Sequence, residues 1–379
     1  MTFDLTEDQR QFQAVARAFA ESEIRPHAAR WDEEKIFPED TLRAAAALGF
    51  AGIYCREELG GAGLTRLDAA LIFEELASAC PSTTAYLTIH NMVSWMIDRF
   101  ATHDLRQRLL PSLLSMELFG SYCLTEPGAG SDAASLRTRA RREGEDYILD
   151  GQKAFISGGG RSDVYVVMAR TGAEGARGIT ALVVEKGTPG LSFGKQEAKM
   201  GWNSQPTCTV LFDGVRVPAE NRLGEEGEGF RFAMMGLDGG RLNIGACSLG
   251  GARAAMAAAL DHVRDRRQFG QAIADFQATR FKLADMATHL EAARALLHKA
   301  AARLDAGDPD ATRWCAMAKR LATDTGFTVC DEALQLFGGY GYIKDYPVER
   351  LLRDLRVHRI LEGSNEIMRV IIGRRLVAD

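Results

Sequence analysis

The residues Leu361-Glu-Gly-Ser-Asn-Glu366 place a carboxylate in a turn ahead of a short amphipathic stretch carrying Ile367, Val370 and Ile371. Ser364 is a good N-cap, which leaves Glu362 just outside the first turn. A carboxylate there can simply complement the helix dipole, or it can serve as a general base held by a rigid element. The dipole alone would keep it ionised, so proton abstraction would need a bound ligand to bury it and raise its proton affinity. Gly128-Ala-Gly-Ser-Asp-Ala133 formally matches G-x-G-x-x-A, with Asp150 about 20 residues further on. The following SLRTRARREGED is too charged for a core-facing helix, and Pro127 sits where a strand should enter the turn, which argues against a dinucleotide fingerprint. Thr125, Ser131 and the loop's backbone N–H groups could still hold a polar ring edge; an ordinary glycine loop reads the same. Arg266-Arg-Gln-Phe-Gly270 could pair a pyrophosphate or be a solvated basic patch at a helix end. Gly338-Gly-Tyr-Gly-Tyr342 could approach a nucleotide or another subunit, or merely stop a helix.

Other chemistries find no support. Of the seven histidines, only His289, four residues after Asp285, approaches a ligand spacing, and a surface contact explains that pair. There is neither a G-x-S-x-G elbow nor a P-loop. The 379 residues carry 46 Lys and Arg against 51 Asp and Glu, a net charge of −5 that excludes a basic nucleic-acid footprint. No apolar run reaches the roughly 18 residues of a bilayer span. The opening MTFDLTEDQRQF has no basic or apolar signal region, so a cytoplasmic chain is expected, or a processed one of the mitochondrial matrix. Seven scattered cysteines without C-x-x-C suggest buried or free thiols in a reducing compartment.

The elements that would position these residues fall into three zones, 1–120, 121–227 and 228–379. In the first, Thr6 and Gln9 form a capping box, and Phe12, Val15, Ala16 and Phe19 share one helical face. Further helices are expected over 40–48 (stopping at Gly49), from Leu67 to Leu76, from His90 to Phe100 and from Leu105 to Leu114. In the second zone the period changes. Tyr147 to Ile156 reads as two strands joined across Asp150-Gly151, and Cys208 to Val217 as two joined across Asp213-Gly214. With Val164 to Ala169 and Ile179 to Val184, these suggest a small antiparallel barrel or sandwich. In the third, Leu283, Met286, Ala287, Leu290, Ala293 and Leu297 form an apolar stripe ending near Gly307. Asp308-Pro309 should open the next helix, with Trp314, Met317, Ala318 and Leu321 on its buried face. Strands do not alternate with helices, so the class is α+β and mostly α: an N-terminal helical domain, a small antiparallel β-domain and a C-terminal four-helix bundle.

Taken together, the motifs resemble the acyl-CoA dehydrogenase family along almost the whole chain. The carrying stretches are Tyr122-Cys-Leu-Thr-Glu-Pro-Gly-Ala-Gly-Ser-Asp132, Phe155-Ile-Ser157, Arg266-x-x-Phe-Gly270, Gln335-Leu-Phe-Gly-Gly-Tyr-Gly341 and Leu361-Glu-Gly-Ser364. Within the family, LTIHNMVSWMID (87–98), GWNSQPT (201–207), LNIGACSLG (242–250), GGYGYIKDYPVE (338–349) and RVHRILEGSNEIMR (356–369) are most similar to isobutyryl-type, branched short-chain members.

That resemblance implies an FAD enzyme that oxidises isobutyryl-CoA to methacrylyl-CoA, a step of valine breakdown, and passes electrons to an electron-transferring flavoprotein. It implies that Glu362 removes the α-proton while a hydride leaves Cβ for the flavin. Tyr122, Cys123, Leu124, Thr125, Gly130, Ser131, Phe155, Ile156 and Ser157 would line the flavin ring. Arg266, Phe269, Phe276 and Gln277, with Gln335, Leu336, Phe337, Gly338 and Gly339, would hold pyrophosphate and adenosine across a subunit interface of a homotetramer. Ser364, Asn365 and Glu366 would meet the flavin's nucleotide part. Ser131, Asp238, Gly239, Gly240, Arg241, Gly363 and Arg374 would contact substrate. Some relatives carry the base one residue before the arginine that matches Arg241; here that position is Gly240, so Glu362 is the only sensible base. Phe155 stands where Trp is common. The alternatives are a butyryl or 2-methylbutyryl substrate, a flavin oxidase or monooxygenase, or a non-catalytic interaction protein on the same fold.

Overall fold

The computed structural model describes residues 4–377. The first zone is α1 (Glu7–Phe19), α2 (Ala28–Glu34), α3 (Glu39–Ala47), α4 (Arg66–Ala79), α5 (Pro81–Phe100) and α6 (His103–Leu114). Thr6 accepts from the Gln9 N–H while the Gln9 amide oxygen accepts from the Thr6 N–H, closing the expected box. Ala16 and Phe19 are buried against the core, but Val15 is exposed, because α1 packs on α4 along a narrower stripe than its sequence offers. α5 starts at Pro81 rather than near His90. Pro81 sits in its first turn, and the Thr84 hydroxyl donates back to the Cys80 carbonyl at 2.9 Å.

The middle zone is one eight-stranded sheet of β1 (Gly120–Cys123), β2 (Arg139–Glu143), β3 (Asp146–Ser157), β4 (Val164–Arg170), β5 (Ile179–Glu185), β6 (Leu191–Phe193), β7 (Thr207–Pro218) and β8 (Arg222–Leu223). The order is β6-β7-β3-β2-β4-β5-β8, with β1 on β4. Two expectations change. The sheet is not wholly antiparallel: β1 runs parallel to β4, and β2 meets β4 in parallel at Arg139–Arg170. Neither Asp-Gly pair turns a hairpin. Both lie within long strands, where the register slips between Leu149–Val215 and Gly151–Phe212, and the Gly214 N–H donates to Asp150 Oδ1 at 2.8 Å. The two pairs meet in a β-bulge, which takes the same permissive residues as a tight turn. The actual hairpin turn is Gly144-Glu145, with Gly144 at φ +62° and Glu143 paired to Asp146.

The third zone opens with α7 (Gly229–Asp265), followed by the short hairpin of β9 (Arg267–Gln268) and β10 (Gln271–Ala272). α8 (Gln277–Asp305), α9 (Ala311–Phe337), α10 (Val348–Arg356) and α11 (Asn365–Val377) complete it. Asp310, not Asp308, takes the N-cap position of α9; the Asp308 carboxylate accepts the Asp310 N–H at 2.8 Å. The buried face of α9 is also rotated from expectation. Cys315, Ala318, Lys319 and Ala322 point inward, Leu321 is exposed, and Trp314 is half-buried under Lys299 and Arg303 of α8, each 4.5 Å from its ring. α7 packs on α9, α8 and, from the first zone, α4, so one apolar core runs through both helical zones. All seven cysteines are free and buried. Among the described residues no helix is long and apolar enough to cross a membrane.

The α4–α7 crossing is close. A Cβ on Gly250 would stand 2.2 Å from the Glu74 carbonyl oxygen, an atom of the backbone that cannot swing aside. Gly250→Ala should therefore lower the unfolding free energy by about 2 kcal/mol, read as a lower denaturant midpoint at unchanged slope.

Candidate active site

The site is built on the first half of α7 and the turn before α11. Gly239, Gly240 and Arg241 are buried there, and Asp238 is half-buried. Arg241 Nη1 donates to Asp238 Oδ1 at 2.6 Å, and the Thr312 hydroxyl donates to Asp238 Oδ2 at 2.7 Å. Burial pushes the Asp238 carboxyl up, opposed by Arg241. Gly239 is backed by the Arg66 guanidinium, 2.4 Å from where a Cβ would stand. Gly240 is backed by Glu362: a Cβ would lie 2.4 Å from its Oε2. The carboxylate thus occupies the space that any side chain at 240 would need.

Glu362 and Gly363 adopt φ +55° and +86°, two successive left-handed residues. Glu362 Oε2 is buried and has no hydrogen-bond partner. Burial raises the carboxyl to about 7, against the opposing charges of Arg241 and Lys319. The expectation that a ligand must supply this burial is corrected: α7 and β1 supply it. The Tyr122 hydroxyl is likewise buried without a partner, and burial together with the nearby Glu362 charge holds the phenol well above its usual range.

The glycine loop ahead of Ser131 is closed by paired backbone hydrogen bonds between Glu126 and Ala129, both at 3.1 Å. The Glu126 carboxylate accepts from the Arg137 and Thr138 N–H groups and from the buried Lys153 at 2.8 Å. The Thr125 carbonyl accepts the Ala154 N–H at 2.8 Å, which sets this loop beside Phe155. A Cβ on Gly128 or Gly130 would meet nothing within 4 Å, and Ser131 is exposed. Phe155 is 69% exposed at φ +57°, a strained posture for an aromatic residue. Cys123, Leu124 and Ile156 turn their side chains into the core, so only their main chains could face a ligand.

A second cluster gathers at the far end of α7, where a cleft of about 550 Å³ is lined by residues including Arg266, Gln335, Leu336, Phe337, Gly338 and Gly339. Phe337 stacks on His262 at 4.2 Å, and Phe269 is 93% exposed at φ +53° with its edge toward Phe276. Gln277 and Arg374 are exposed. Ser364 Oγ accepts the Ile367 N–H at 3.4 Å, as an N-cap should, and the helix terminus keeps the exposed Glu366 carboxyl low. The Asn365 side chain turns inward instead, to Lys319, Thr323 and Asp324. Gly240 and Arg266 are 26 residues apart on α7, roughly 40 Å at the helical rise. One chain therefore does not wrap both clusters round a single small molecule.

Sequence reasoning missed Lys319, Arg66 and the cleft residues His262, Ile273 and Ile343. Lys319 left a signal, a lysine in phase with Cys315 and Ala322 on an otherwise small and apolar face. The cleft residues left none, because they converge only when the ends of α7 and α9 meet.

Residues 6–117, 121–215 and 227–377 match the N-terminal, middle and C-terminal domains of acyl-CoA dehydrogenase. The chain is 60% identical over 376 residues to a mitochondrial isobutyryl-CoA dehydrogenase of Dictyostelium discoideum, covering 99% of this chain and 90% of that one. It is 56% identical to the mitochondrial isobutyryl-CoA dehydrogenase of Bos taurus at the same coverage. Among solved structures, butyryl-CoA dehydrogenase from Megasphaera elsdenii superposes with a TM-score of 0.96 at 40% identity, over all of both chains.

Because burial favours the neutral carboxyl, the folded chain binds the Glu362 proton more tightly than the unfolded one, where the ordinary value is 4.5. The associated stability is full below that pH and is lost as pH rises through about 7. Glu362→Gln removes the ionisation. Its unfolding free energy should nearly match the parent near pH 4.5 and exceed it by up to about 3 kcal/mol near pH 8. Denaturant titrations at the two pH values measure this, and an equal gap at both rejects a buried, proton-hungry carboxylate.

Proposed function

The chain belongs to the acyl-CoA dehydrogenase family, and from that premise we propose that it desaturates isobutyryl-CoA to methacrylyl-CoA with FAD as its redox cofactor. The observation that carries the reading is Glu362, a carboxylate with a buried, unpartnered oxygen and a proton affinity set near neutrality, lodged against a glycine. A group poised near the working pH is what general-base catalysis requires.

The residues present fit the cofactor. The unpartnered Tyr122 hydroxyl, the open faces of Gly128 and Gly130 and the outward Phe155 make a cradle for a flat, hydrogen-bonding ring. Thr125, Ser131 and Ser157 add polar groups, and Cys123, Leu124 and Ile156 their main chains. At the far end, Gly338 and Gly339 have nothing within 4 Å of a Cβ, and Arg266 lines the same cleft. That combination suits a pyrophosphate approached by backbone and guanidinium. Phe269, Phe276, Gln277 and Gln335 to Phe337 complete that cluster. With roughly 40 Å between the clusters, this end serves the cofactor of a second protomer, as a homotetramer with shared sites would arrange it. Ser364, Glu366 and the Asn365 main chain border the nucleotide. When bound there, FAD would supply the acceptor for the hydride of Cβ.

The chain's own part is to position the acyl group and move the proton. Asp238, Gly239, Gly240, Arg241, Gly363, Arg374 and Ser131 border the substrate, with the two glycines leaving room beside α7. Glu362 takes the α-proton as the Cβ–H pair departs, and the double bond forms between the two carbons. A bound acyl chain completes the exclusion of water, which strengthens every donor aimed at the developing enolate charge. An electron-transferring flavoprotein would be the electron acceptor.

Two outcomes follow. Anaerobic titration of the flavin-loaded protein with isobutyryl-CoA should bleach the flavin band faster than butyryl- or 2-methylbutyryl-CoA, and Glu362→Gln should slow bleaching by at least about 100-fold. Faster bleaching by another chain would move the substrate assignment, and none by any acyl-CoA would remove the dehydrogenase reading. Because Glu362 must be ionised, kcat/KM should rise with pH and level off above about 7; a flat profile from pH 5.5 to 8 would exclude Glu362 as the base.

A further inference from the structure

Lys319 lies in the middle of α9, and its side chain is wholly buried on a face otherwise made of Cys315, Ala318, Ala322 and Gly326. An ammonium taken out of water is unfavourable unless its hydrogens are used. This one donates to the Gly363 carbonyl at 2.9 Å and to Asn365 Oδ1 at 2.8 Å. Both acceptors belong to the segment that carries Glu362. Asn365 passes the anchorage on, its amide donating to Thr323 Oγ1 at 3.0 Å and Asp324 Oδ1 at 2.9 Å. Glu362 sits at φ +55°, a conformation that a residue with a Cβ keeps only when its surroundings impose it. Among the described residues, the other hydrogen bond to Glu362 or Gly363 themselves is weak, a 3.4 Å contact from Arg241 Nε to the Glu362 carbonyl. The principal tie holding the base in its notch against Gly240 is therefore the lysine.

We propose, resting on the assignment of Glu362 as the base, that Lys319 is its positioning residue: it pins the Glu362–Gly363 turn to α9 and sets a positive charge behind the carboxylate. The charged and titratable groups facing Glu362 and Lys319 are Arg241 from α7, itself paired with Asp238, Tyr122 from β1, Asp324 from α9, itself near Arg369, His358 after α10 and Glu366 from α11. Only Arg241 and Lys319 act noticeably against burial on the carboxyl. Burial draws the ammonium down to about 8, and the Glu362 charge opposes that fall. Without it, burial is opposed by Arg241 alone.

The test uses the flavin-loaded protein with Lys319→Met and Lys319→Gln. Lys319→Met removes both donor and charge; Lys319→Gln keeps a donor for the Gly363 carbonyl and removes only the charge. Lys319→Met should retain FAD while losing kcat about 10- to 100-fold with KM within about threefold, because the base is misplaced rather than the substrate. The acidic limb of its kcat/KM profile should move up by about one pH unit. Lys319→Gln should recover most of the plateau rate yet keep the shifted limb. A substrate-free readout accompanies these: the Glu362 carboxyl band, found by infrared difference against Glu362→Gln, should titrate about one pH unit higher in Lys319→Met. An unmoved band with kcat within about twofold of the parent overturns the proposal. So does failure of both variants to fold and bind FAD, which would make Lys319 a stability residue alone. If the parent protein oxidises no acyl-CoA, the functional assignment falls, and the infrared midpoint still decides for or against Lys319.

Discussion

The structure turns on one contact, the Glu362 carboxylate resting where α7 lacks a side chain at Gly240. A carboxylate in that notch loses solvent on one side to a helix and on the other to the sheet, and its proton affinity rises because the ionised form loses hydration. The effect needs no change in the acid itself, only a backbone that comes close enough. Any Cβ at position 240 would displace it, so the glycine on the helix and the glutamate on the turn are one device contributed by two distant parts of the chain.

α7 connects this device to everything else. Its 37 residues run roughly 55 Å, with Gly229 pressed against β5 at one end and Arg266 at the cleft at the other. Along its length small residues let neighbours approach: Gly250 meets the backbone of α4, and Gly251 meets Leu355 of α10. The first helical zone is therefore not an appendage. α4 serves as a wall of the C-terminal bundle, and Glu74 and Glu75 reach into it to pair with Arg294 and Arg253. The two glutamates are almost fully buried, so these pairs matter more for fixing how the zones meet than for net stability.

What the sequence disclosed and withheld follows from which signals are local. The Thr6–Gln9 box and the Ser364 cap involve residues a turn apart and stand as read, and of the six-residue stripe of α8 Met286, Leu290, Ala293 and Leu297 are buried. Asp150-Gly151 and Asp213-Gly214 were legible as places where the backbone needs freedom, but a bulge and a hairpin turn demand the same residues. Only the pairing of β3 with β7 distinguishes them. The candidate base was visible from its cap and motif, whereas its raised proton affinity was not, since that comes from burial against Gly240, 122 residues away in sequence, and is only partly offset by Arg241 and Lys319. The inward turn of Asn365 is another case. Its place beside the N-cap suggests a ligand-facing residue, and the buried ammonium opposite claims its side chain.

The segment leading into Glu362 is itself held by a polar chain that crosses from the loop between β6 and β7 to the bundle. The Trp202 N–H donates to Asp354 Oδ1 at 2.6 Å and its indole N–H to His358 Nε2 at 3.2 Å, while His358 Nδ1 stands 2.7 Å from Ser248 Oγ. Since the indole can only donate, Nε2 must accept, and the ring's one proton lies on Nδ1, directed at Ser248. The Ser248 hydroxyl in turn donates to the Ile244 carbonyl of α7 at 3.0 Å. Every member then has a defined donor or acceptor role, and the chain closes only while His358 is neutral. Burial ensures this by driving the imidazole down to about 3. Four residues after His358 comes Glu362. The β6–β7 loop, α7 and α10 are thus tied to one another immediately before the turn whose placement the chemistry depends on.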